Sequence, residues 1–168
     1  MQKSSLIKHW QKEKIITNQK IIQAFKKIKR EDFILKNYIK HAYEDIPLPI
    51  GFKATISQPT TVMIMTQALD TEEENKILEI GTGSGYQAAL LSVLIGDKGK
   101  VYTTELIKEL AEYAKQNLKD YKNVEVLNID GSRGYKEKAP FDRIICTAAL
   151  PKVLRHLIDQ LKDPGIFI

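Results

Sequence analysis

Three alternating glycines, Gly81, Gly83 and Gly85, lie between an apolar strand-like segment and an apolar helix-like segment. Glu79 precedes the first glycine by two positions, within the strand-like segment. A glycine turn between a strand and a helix is where open α/β sheets bind nucleotide-like ligands. The same pattern also occurs in ordinary strand-to-helix connections, so the turn alone leaves both interpretations open.

The glycine spacing and the neighbouring acid together indicate the charge of the ligand. Dinucleotide folds usually space the glycines Gly-x-Gly-x-x-Gly, which brings a pyrophosphate onto the helix N-terminus. Here the spacing is shorter, and the Glu79 carboxylate lies beside the turn. S-adenosylmethionine has no phosphate and carries an ammonium and a sulfonium, which suit a carboxylate. The turn therefore predicts S-adenosylmethionine as the cofactor.

Two further acids occupy the ends of the next two strand-like segments. Glu105 follows Gly85 by 20 residues, a distance at which an acid can bind both hydroxyls of a ribose. Asp130 ends the following segment and is placed to accept a hydrogen bond from an adenine amino group. Their neighbours Leu106 and Gly131 belong to the same predicted cofactor site. Each acid taken singly could also be a solvated turn former.

The elements that must position these residues alternate regularly. Strands are predicted at 76–80, 100–104, 124–129 and 141–146, and helices at 86–95, 106–118 and 151–161. This alternation predicts an α/β, Rossmann-like fold with a mostly parallel sheet and helices on both faces. Residues 1–70 are predicted to form a helical N-terminal cap containing an extended stretch at 45–51. We expect one domain over 1–168, with the cofactor-binding core at 71–168.

Composition excludes several other classes of protein. The 168 residues are 43% hydrophobic, and no apolar run approaches the roughly 18 residues of a membrane span. Cys146 is the single cysteine, so no disulfide framework or Cys/His metal cluster is expected. The N-terminus has no signal-peptide core. The prediction is a cytoplasmic protein without a bound metal and without a membrane partner.

Positive charge is concentrated at the N-terminus. Residues 1–30 contain nine Lys or Arg and one acid, Glu13, although the net charge of the whole chain is only +5. Apolar residues in this segment recur at helical spacing. The segment could contact nucleic acid, or it could be an amphipathic cap helix with a solvated lysine face.

Five segments carry a resemblance to a known family. In order along the chain they are Leu48–Gly51, Ala54–Pro59, Ile77–Ala89, Val101–Glu105 and Ala139–Ala149. From about Lys29 to its last residue the chain resembles the protein-L-isoaspartate O-methyltransferases. The glycine turn is common to many methyltransferases, whereas the segment Thr55–Pro59 is close to diagnostic of this family.

The resemblance implies a role for each cofactor contact. Glu79 and the glycines would hold the methionine end, Glu105 the ribose and Asp130 the adenine. The loop of Ile50, Gly51, Phe52 and Lys53 would close over the cofactor.

The resemblance also implies how the substrate is held. Ser57 would help place the substrate carboxylate, and Thr147, Ala148 and Ala149 would border the peptide groove. From the residues alone, Ser57 could instead cap the helix that begins near Pro59.

The implied reaction is methyl transfer from S-adenosylmethionine to the free carboxylate of isoaspartyl residues in damaged proteins, which starts their repair. A carboxylate is already ionised near neutral pH and needs no general base, and none of the three histidines lies in a motif. The expected partners are isoaspartyl proteins and peptides. The alternatives are a truncated relative with little activity and a nucleic-acid methyltransferase that uses the basic segment.

The resemblance is incomplete at a few positions and at the C-terminus. Thr60 stands where the family often has an aromatic residue or histidine. Family members continue beyond the fifth strand, which is predicted to begin at Gly165. We expect the 168-residue chain to expose an unpaired strand edge there, and therefore to self-associate or to be marginally stable.

Overall fold

A five-stranded parallel sheet forms the centre of the computed structural model, which describes residues 2–150, 152 and 154–168. The strand order is β5-β4-β3-β6-β7, and every neighbouring pair is parallel, as the predicted alternation of strands and helices implies. The five strands are β3 (Lys76–Ile80), β4 (Lys100–Thr104), β5 (Val124–Leu127), β6 (Phe141–Cys146) and β7 (Leu161–Phe167). The expected fold class is therefore confirmed.

Helices cover the sheet because its central strands are apolar on both faces, as in other parallel sheets. The helix that follows the glycine turn, α4 (Tyr86–Ile95), is buried along most of its length. The other helices of the described residues are α1 (Lys3–Lys12), α2 (Gln19–Lys27), α3 (Pro59–Ala68), α5 (Lys108–Asn117) and α6 (Arg155–Ile158). Short 3-10 turns lie at Arg30–Phe33 and Lys36–His41.

The N-terminal region differs in one respect from the predicted helical cap. The extended stretch continues into a strand, β1 (Leu48–Gly51), which pairs antiparallel with β2 (Ala54–Ile56). Phe52 and Lys53 form the turn between them, and both have positive φ angles of 51° and 60°. This backbone matches the twist of a tight hairpin, although non-glycine residues rarely adopt it.

The basic N-terminal segment packs as an amphipathic pair of helices. Trp10 of α1 and Phe25 of α2 are fully buried, and their ring centroids are 4.8 Å apart. The Lys3 ammonium donates to the carbonyl oxygens of Lys26 (2.9 Å) and Ile28 (2.6 Å) at the C-terminal end of α2. A cation is favourable at that end of a helix. These contacts favour the interpretation of the segment as a cap.

The end of the chain departs from the predicted boundaries. A helix was expected at 151–161, but α6 is a single turn, and Pro151 and Val153 lie outside the described residues. Strand β7 begins at Leu161 and not at Gly165. Buried Gln160 explains the early start. Its backbone carbonyl accepts a hydrogen bond from the backbone N–H of Phe141 (2.8 Å), so pairing with β6 begins directly before Leu161.

In the part of the chain that the structure describes, no helix is both long and apolar enough to cross a membrane.

Candidate functional site

The glycine turn lies at the carboxyl edge of the sheet and is fixed by neighbouring strand ends. The backbone N–H groups of Gly81 and Thr82 both donate to the Thr104 carbonyl oxygen, at 2.9 and 3.0 Å. Gly81 has a φ of +101°, and a Cβ there would lie 2.7 Å from the Ala148 Cβ and 2.8 Å from the Ala148 backbone nitrogen. Only glycine allows the two chain segments to approach this closely.

Glu79 is fully buried beneath this turn with one oxygen satisfied. Its Oε2 accepts a hydrogen bond from the Thr103 hydroxyl (2.7 Å), which in turn lies 2.7 Å from the Thr82 hydroxyl. Oε1 has no hydrogen-bond partner among the described residues. Burial is the main cause that raises the pKa of Glu79 to about 8; the hydrogen bond from Thr103 opposes this shift, and the nearby Glu105 adds to it. A buried carboxyl group with a free oxygen is ready for a cationic donor.

A cavity of about 50 Å³ opens between Glu79 and Ser57. Its walls come from the glycine turn, the start of α4, helix α3 and the end of β2; among the lining residues are Thr55, Ser57, Val62, Met65, Gly83 and Thr147. A larger cavity of about 580 Å³ lies by the C-terminal ends of α4 and α5. No buried unpartnered polar atom identified among the described residues belongs to its lining. The smaller cavity is therefore the better candidate for the reacting end of a ligand.

Glu105 follows β4 and contacts the glycine turn directly. It is 8% exposed, and its Oε2 accepts from the Gly83 backbone N–H at 2.9 Å. The other oxygen accepts from the Ile107 backbone N–H at 3.0 Å. Each carboxylate oxygen can accept a further hydrogen bond. Glu105 thus lies at the end of β4, as the sequence predicted, and its carboxylate contacts the glycine turn.

Two exposed apolar side chains extend the site outward along the strand ends. Leu106 is 71% exposed after β4, and Ile129 is 36% exposed after β5. Asp130 is next to Ile129, and its carboxylate accepts from the Ser132 backbone N–H at 3.0 Å. The next residue, Gly131, packs tightly against the end of β4, since a Cβ there would lie 2.2 Å from the Thr104 hydroxyl oxygen. An apolar surface beside an acceptor matches the face and the amino group of an adenine.

Ser57 lies between β2 and α3, and its hydroxyl makes no hydrogen bond within the described residues. The expected alternative, in which Ser57 caps α3, is wrong, because the N-cap residue is Gln58. The Gln58 side chain does not itself accept a hydrogen bond from the backbone of the first helical turn. Asp45 performs this task from a distant loop. Its carboxylate accepts from the Thr60 backbone N–H (2.9 Å), the Thr60 hydroxyl (2.7 Å) and the Gln58 amide (3.1 Å).

The hairpin approaches the glycine turn through Ile50. Ile50 is buried, and its Cδ1 lies 3.3 Å from the position of a Cβ on Gly83. Gly51 precedes the tip, where Phe52 is 57% exposed and Lys53 is also exposed. Ile50 is thus brought to the predicted cofactor site, whereas Phe52 and Lys53 are exposed at the hairpin tip and do not line the cavity.

The loop after β6 closes the other side of the turn. The Thr147 hydroxyl donates to the Gly81 carbonyl oxygen (2.5 Å), and the Thr147 backbone N–H donates to the Ile80 carbonyl oxygen (2.9 Å). Ala148 and Ala149 follow and are exposed. Small, exposed residues here leave room for a chain to approach the cavity.

Sequence reasoning missed several residues that hold this site. Thr103 faces Glu79 in the β3–β4 register, and a hydroxyl opposite a buried acid was the available signal. Asp45 and Thr60 connect the loop before β1 with the start of α3 across 15 residues, and no local pattern indicated their contact. Thr60 also accepts from the Trp10 indole N–H at 2.7 Å, which gives a structural reason for its departure from the family pattern.

The residues present fit S-adenosylmethionine. The unpartnered Glu79 oxygen suits its ammonium, the glycine backbone allows close approach, and the exposed apolar surface at Leu106 suits its adenine. A parallel sheet carrying this site at its carboxyl edge defines a Rossmann-like, S-adenosylmethionine-dependent methyltransferase.

Comparison with known proteins identifies the family. The model of the protein-L-isoaspartate(D-aspartate) O-methyltransferases matches residues 1–168. A Staphylothermus marinus protein-L-isoaspartate O-methyltransferase is 48% identical over 159 residues, covering 90% of this chain and 71% of the relative. One from Methanocella arvoryzae is 51% identical over 141 residues, covering 83% and 75%. The chain belongs to this family, which confirms the family and the cofactor predicted from sequence.

Solved structures agree with this assignment. A protein-L-isoaspartate O-methyltransferase structure superposes with a TM-score of 0.88 at 31% identity, covering 98% of this chain. The chain spans 54% of that structure's own length. A Plasmodium falciparum β-aspartate methyltransferase, solved with S-adenosyl-L-homocysteine, has a TM-score of 0.85 over 97% of this chain and 81% of its own. At 20% identity, this second likeness concerns the fold.

Proposed function

We propose that this chain transfers a methyl group from S-adenosylmethionine to the free carboxylate of isoaspartyl residues in damaged proteins and peptides. Family membership over the whole chain supports this activity. The observation that carries the assignment within the site is Ser57, which lines the same cavity as Glu79 and whose hydroxyl makes no hydrogen bond within the described residues. A cytoplasmic location remains a prediction.

The composition of the cavity suits a carboxylate acceptor. Bound S-adenosylmethionine supplies a methyl group on a positively charged sulfur. An isoaspartyl carboxylate has an ordinary pKa near 4, so it is ionised at neutral pH and requires no base. In keeping with this, none of the described lining residues is a histidine, lysine or aspartate, and the carboxyl group that does line the cavity, Glu79, is assigned to the cofactor. The protein contributes alignment of the reacting atoms and exclusion of water.

Each side of the cavity has a proposed task. Glu79 holds the ammonium of the cofactor, and Glu105 accepts from the ribose hydroxyls. Ser57 donates its hydroxyl hydrogen to one oxygen of the substrate carboxylate, which directs the other oxygen toward the methyl group. Thr147, Ala148 and Ala149 border the groove for the substrate backbone.

A pair of synthetic peptides that differ only in Asp against isoAsp tests this function. The isoaspartyl peptide should accept methyl groups, and the aspartyl peptide should not. Ser57→Ala should lower kcat/KM by about tenfold or more, because a hydrogen bond to a charged group contributes about 1.5–3 kcal/mol. Equal methylation of both peptides, or preferential methylation of RNA, would refute the proposal in favour of another substrate class.

A further inference from the structure

Arg30 is a fully buried arginine whose guanidinium joins three separate stretches of backbone. One terminal nitrogen donates to the Ala42 carbonyl oxygen at 2.5 Å. The other donates to the carbonyl oxygens of Ile46 (3.4 Å) and Ser57 (2.9 Å). The guanidinium therefore ties the loop before β1 to the residue that follows β2.

The charge of Arg30 lacks the usual compensation. Within the described residues it forms no ion pair with a carboxylate, and its Nε has no hydrogen-bond partner. Burial lowers the pKa of Arg30, and Tyr86, the first residue of α4, opposes this shift. The buried Tyr86 hydroxyl also has no hydrogen-bond partner among the described residues. A buried, unpaired cation is costly. Arg30 is nevertheless present beside Ser57 and Tyr86, which line the cavity.

Few hydrogen bonds hold Ser57 in place in the described part of the chain. Its side chain makes no hydrogen bond within the described residues, so only its backbone holds it. On the C-terminal side, Asp45 fixes Gln58 and Thr60. The carbonyl oxygen of Ser57 itself accepts a hydrogen bond from the Arg30 side chain.

We propose that Arg30 is a positioning residue for methyl transfer, because its buried guanidinium sets the place of Ser57 relative to the cavity. The proposal rests on the function proposed above, in which Ser57 binds the substrate carboxylate. Arginine is required because its planar fork can reach carbonyls in several directions, whereas a lysine ammonium is a single point. Arg30 touches neither substrate nor cofactor and acts through Ser57.

The variant Arg30→Lys tests the proposal against a matched control. Arg143 offers that control, because its guanidinium also holds backbone carbonyl oxygens, those of Leu69 (2.9 Å), Asp70 (2.8 Å) and Asp142 (3.0 Å), away from the cavity. For Arg30→Lys we expect the KM of an isoaspartyl peptide to rise about tenfold or more, with kcat changed less. The Kd of S-adenosylmethionine should stay within about twofold of wild type. Arg143→Lys should keep both the peptide KM and this Kd within about twofold.

The division between KM and kcat separates positioning from simple destabilisation. A partly unfolded enzyme has fewer active molecules, which lowers the apparent kcat and leaves the peptide KM unchanged. A fall in kcat alone, matched by Arg143→Lys, would overturn the proposal. The fluorescence of Trp10, the single tryptophan, provides a readout independent of activity, since its indole bonds to Thr60 three residues beyond Ser57. Its emission should change in Arg30→Lys and not in Arg143→Lys.

A measurement on the wild-type chain covers the case in which Arg30→Lys does not fold. With 15N-labelled arginine, the Nη signals of buried Arg30 should be resolved and slow to exchange. They should shift when an isoaspartyl peptide binds and stay in place with the aspartyl peptide. Unmoved Arg30 signals during productive methylation would overturn the positioning role. Absence of isoaspartyl methylation by wild type would instead refute the proposed function, and the Trp10 comparison would still decide whether Arg30 places the Ser57 segment.

Discussion

The two sides of the cavity are built by different means. The side formed by the glycine turn follows from the sheet, since Glu79 and Thr103 are register partners on adjacent strands. The side formed by Ser57 has no such repeating frame. It is held by Arg30 and Asp45, whose contacts with the segment depend on irregular loops. One side of the site is thus specified by regular topology, and the other by individual side chains.

This difference gives the two sides different sensitivities. A parallel sheet tolerates few changes at a point where backbone meets backbone, so substitutions at the turn should affect folding and cofactor binding together. Side-chain contacts to a loop can be removed one at a time. We therefore expect changes on the Ser57 side to affect the peptide more than the cofactor.

The largest effect is expected at Gly81. A methyl group in Gly81→Ala would meet the Ala148 backbone nitrogen at 2.8 Å while the residue keeps an unfavourable φ of +101°. Backbone strain and overpacking together should destabilise the fold by about 2–5 kcal/mol. Chemical denaturation measures this loss, and calorimetry should show weakened cofactor binding in the folded fraction.

Gly96→Ala is the matched control for this variant. Gly96 also has a positive φ, +70°, but a Cβ there would meet no atom within 4 Å. It should lose only the backbone term, about 1–3 kcal/mol for a side chain at φ +70° and ψ 179°, with unchanged cofactor affinity. Equal losses in the two variants would mean that the close approach to Ala148 contributes little.

The side formed by the turn was also the side that the sequence predicted well. The bounds of β3, β4, β6 and α4 agree with the predicted ones, because alternating glycines between an apolar strand and an apolar helix are a local signal. Once the strands are parallel, their acid-bearing ends must share one edge. Ile129 was not assigned to the site, since an exposed apolar residue after a strand has no distinctive sequence pattern.

A smaller effect concerns the pH dependence of cofactor binding through Glu79. Because burial raises its pKa to about 8, Glu79 is mostly neutral at pH 7 and must lose a proton to pair with an ammonium. Affinity should therefore rise by up to about tenfold per pH unit below pH 8. Above that pH it should fall again as the cofactor's own amino group, with a pKa near 8, loses its proton. Titration calorimetry in buffers of different ionisation enthalpy should detect proton release at pH 7.

Methylthioadenosine provides the control, because it lacks the amino-acid end and its affinity should vary little with pH. Glu79→Gln should remove the proton release. The same raised pKa makes the ligand-free protein less stable as pH increases from about 4.5 through 8, since ionising Glu79 is harder in the folded state. A flat pH profile for S-adenosylmethionine would show that Glu79 does not pair with the ammonium.

The side formed by Ser57 was predicted less completely. The segment Thr55–Pro59 was recognised from its residues, but nothing local indicated which groups hold it. The cap on α3 comes from Asp45, which is 15 residues before Thr60. The β1–β2 hairpin was expected only as an extended stretch. Contacts of this kind depend on how loops pack in three dimensions. They leave no periodic pattern of apolar residues, such as a helix or a strand leaves, in a single sequence.

The smallest effect is expected from Asp45→Ala, which removes the remote cap from α3. Losing a helix cap costs about 1 kcal/mol, so the free energy of unfolding should fall by about that amount at neutral pH. Partial burial opposes ionisation of Asp45, but hydrogen bonds from Thr60 and Gln58 hold its pKa below the usual 3.8. Its contribution is therefore present above that pH, and the advantage of wild type over Asp45→Ala should disappear as acid protonates the carboxylate.

In the same variant, the KM of an isoaspartyl peptide should rise by about two- to fivefold, because Gln58 and Thr60 no longer brace Ser57. The Kd of S-adenosylmethionine should be unchanged, since Glu79 and Glu105 keep their contacts. Glu44→Ala is the neighbouring control; Glu44 pairs with the exposed His41 and makes no hydrogen bond or ion pair with the Ser57 segment in the described residues. If Asp45→Ala weakened cofactor and peptide binding equally, the two sides of the cavity would be mechanically coupled, and their different construction would not separate their functions.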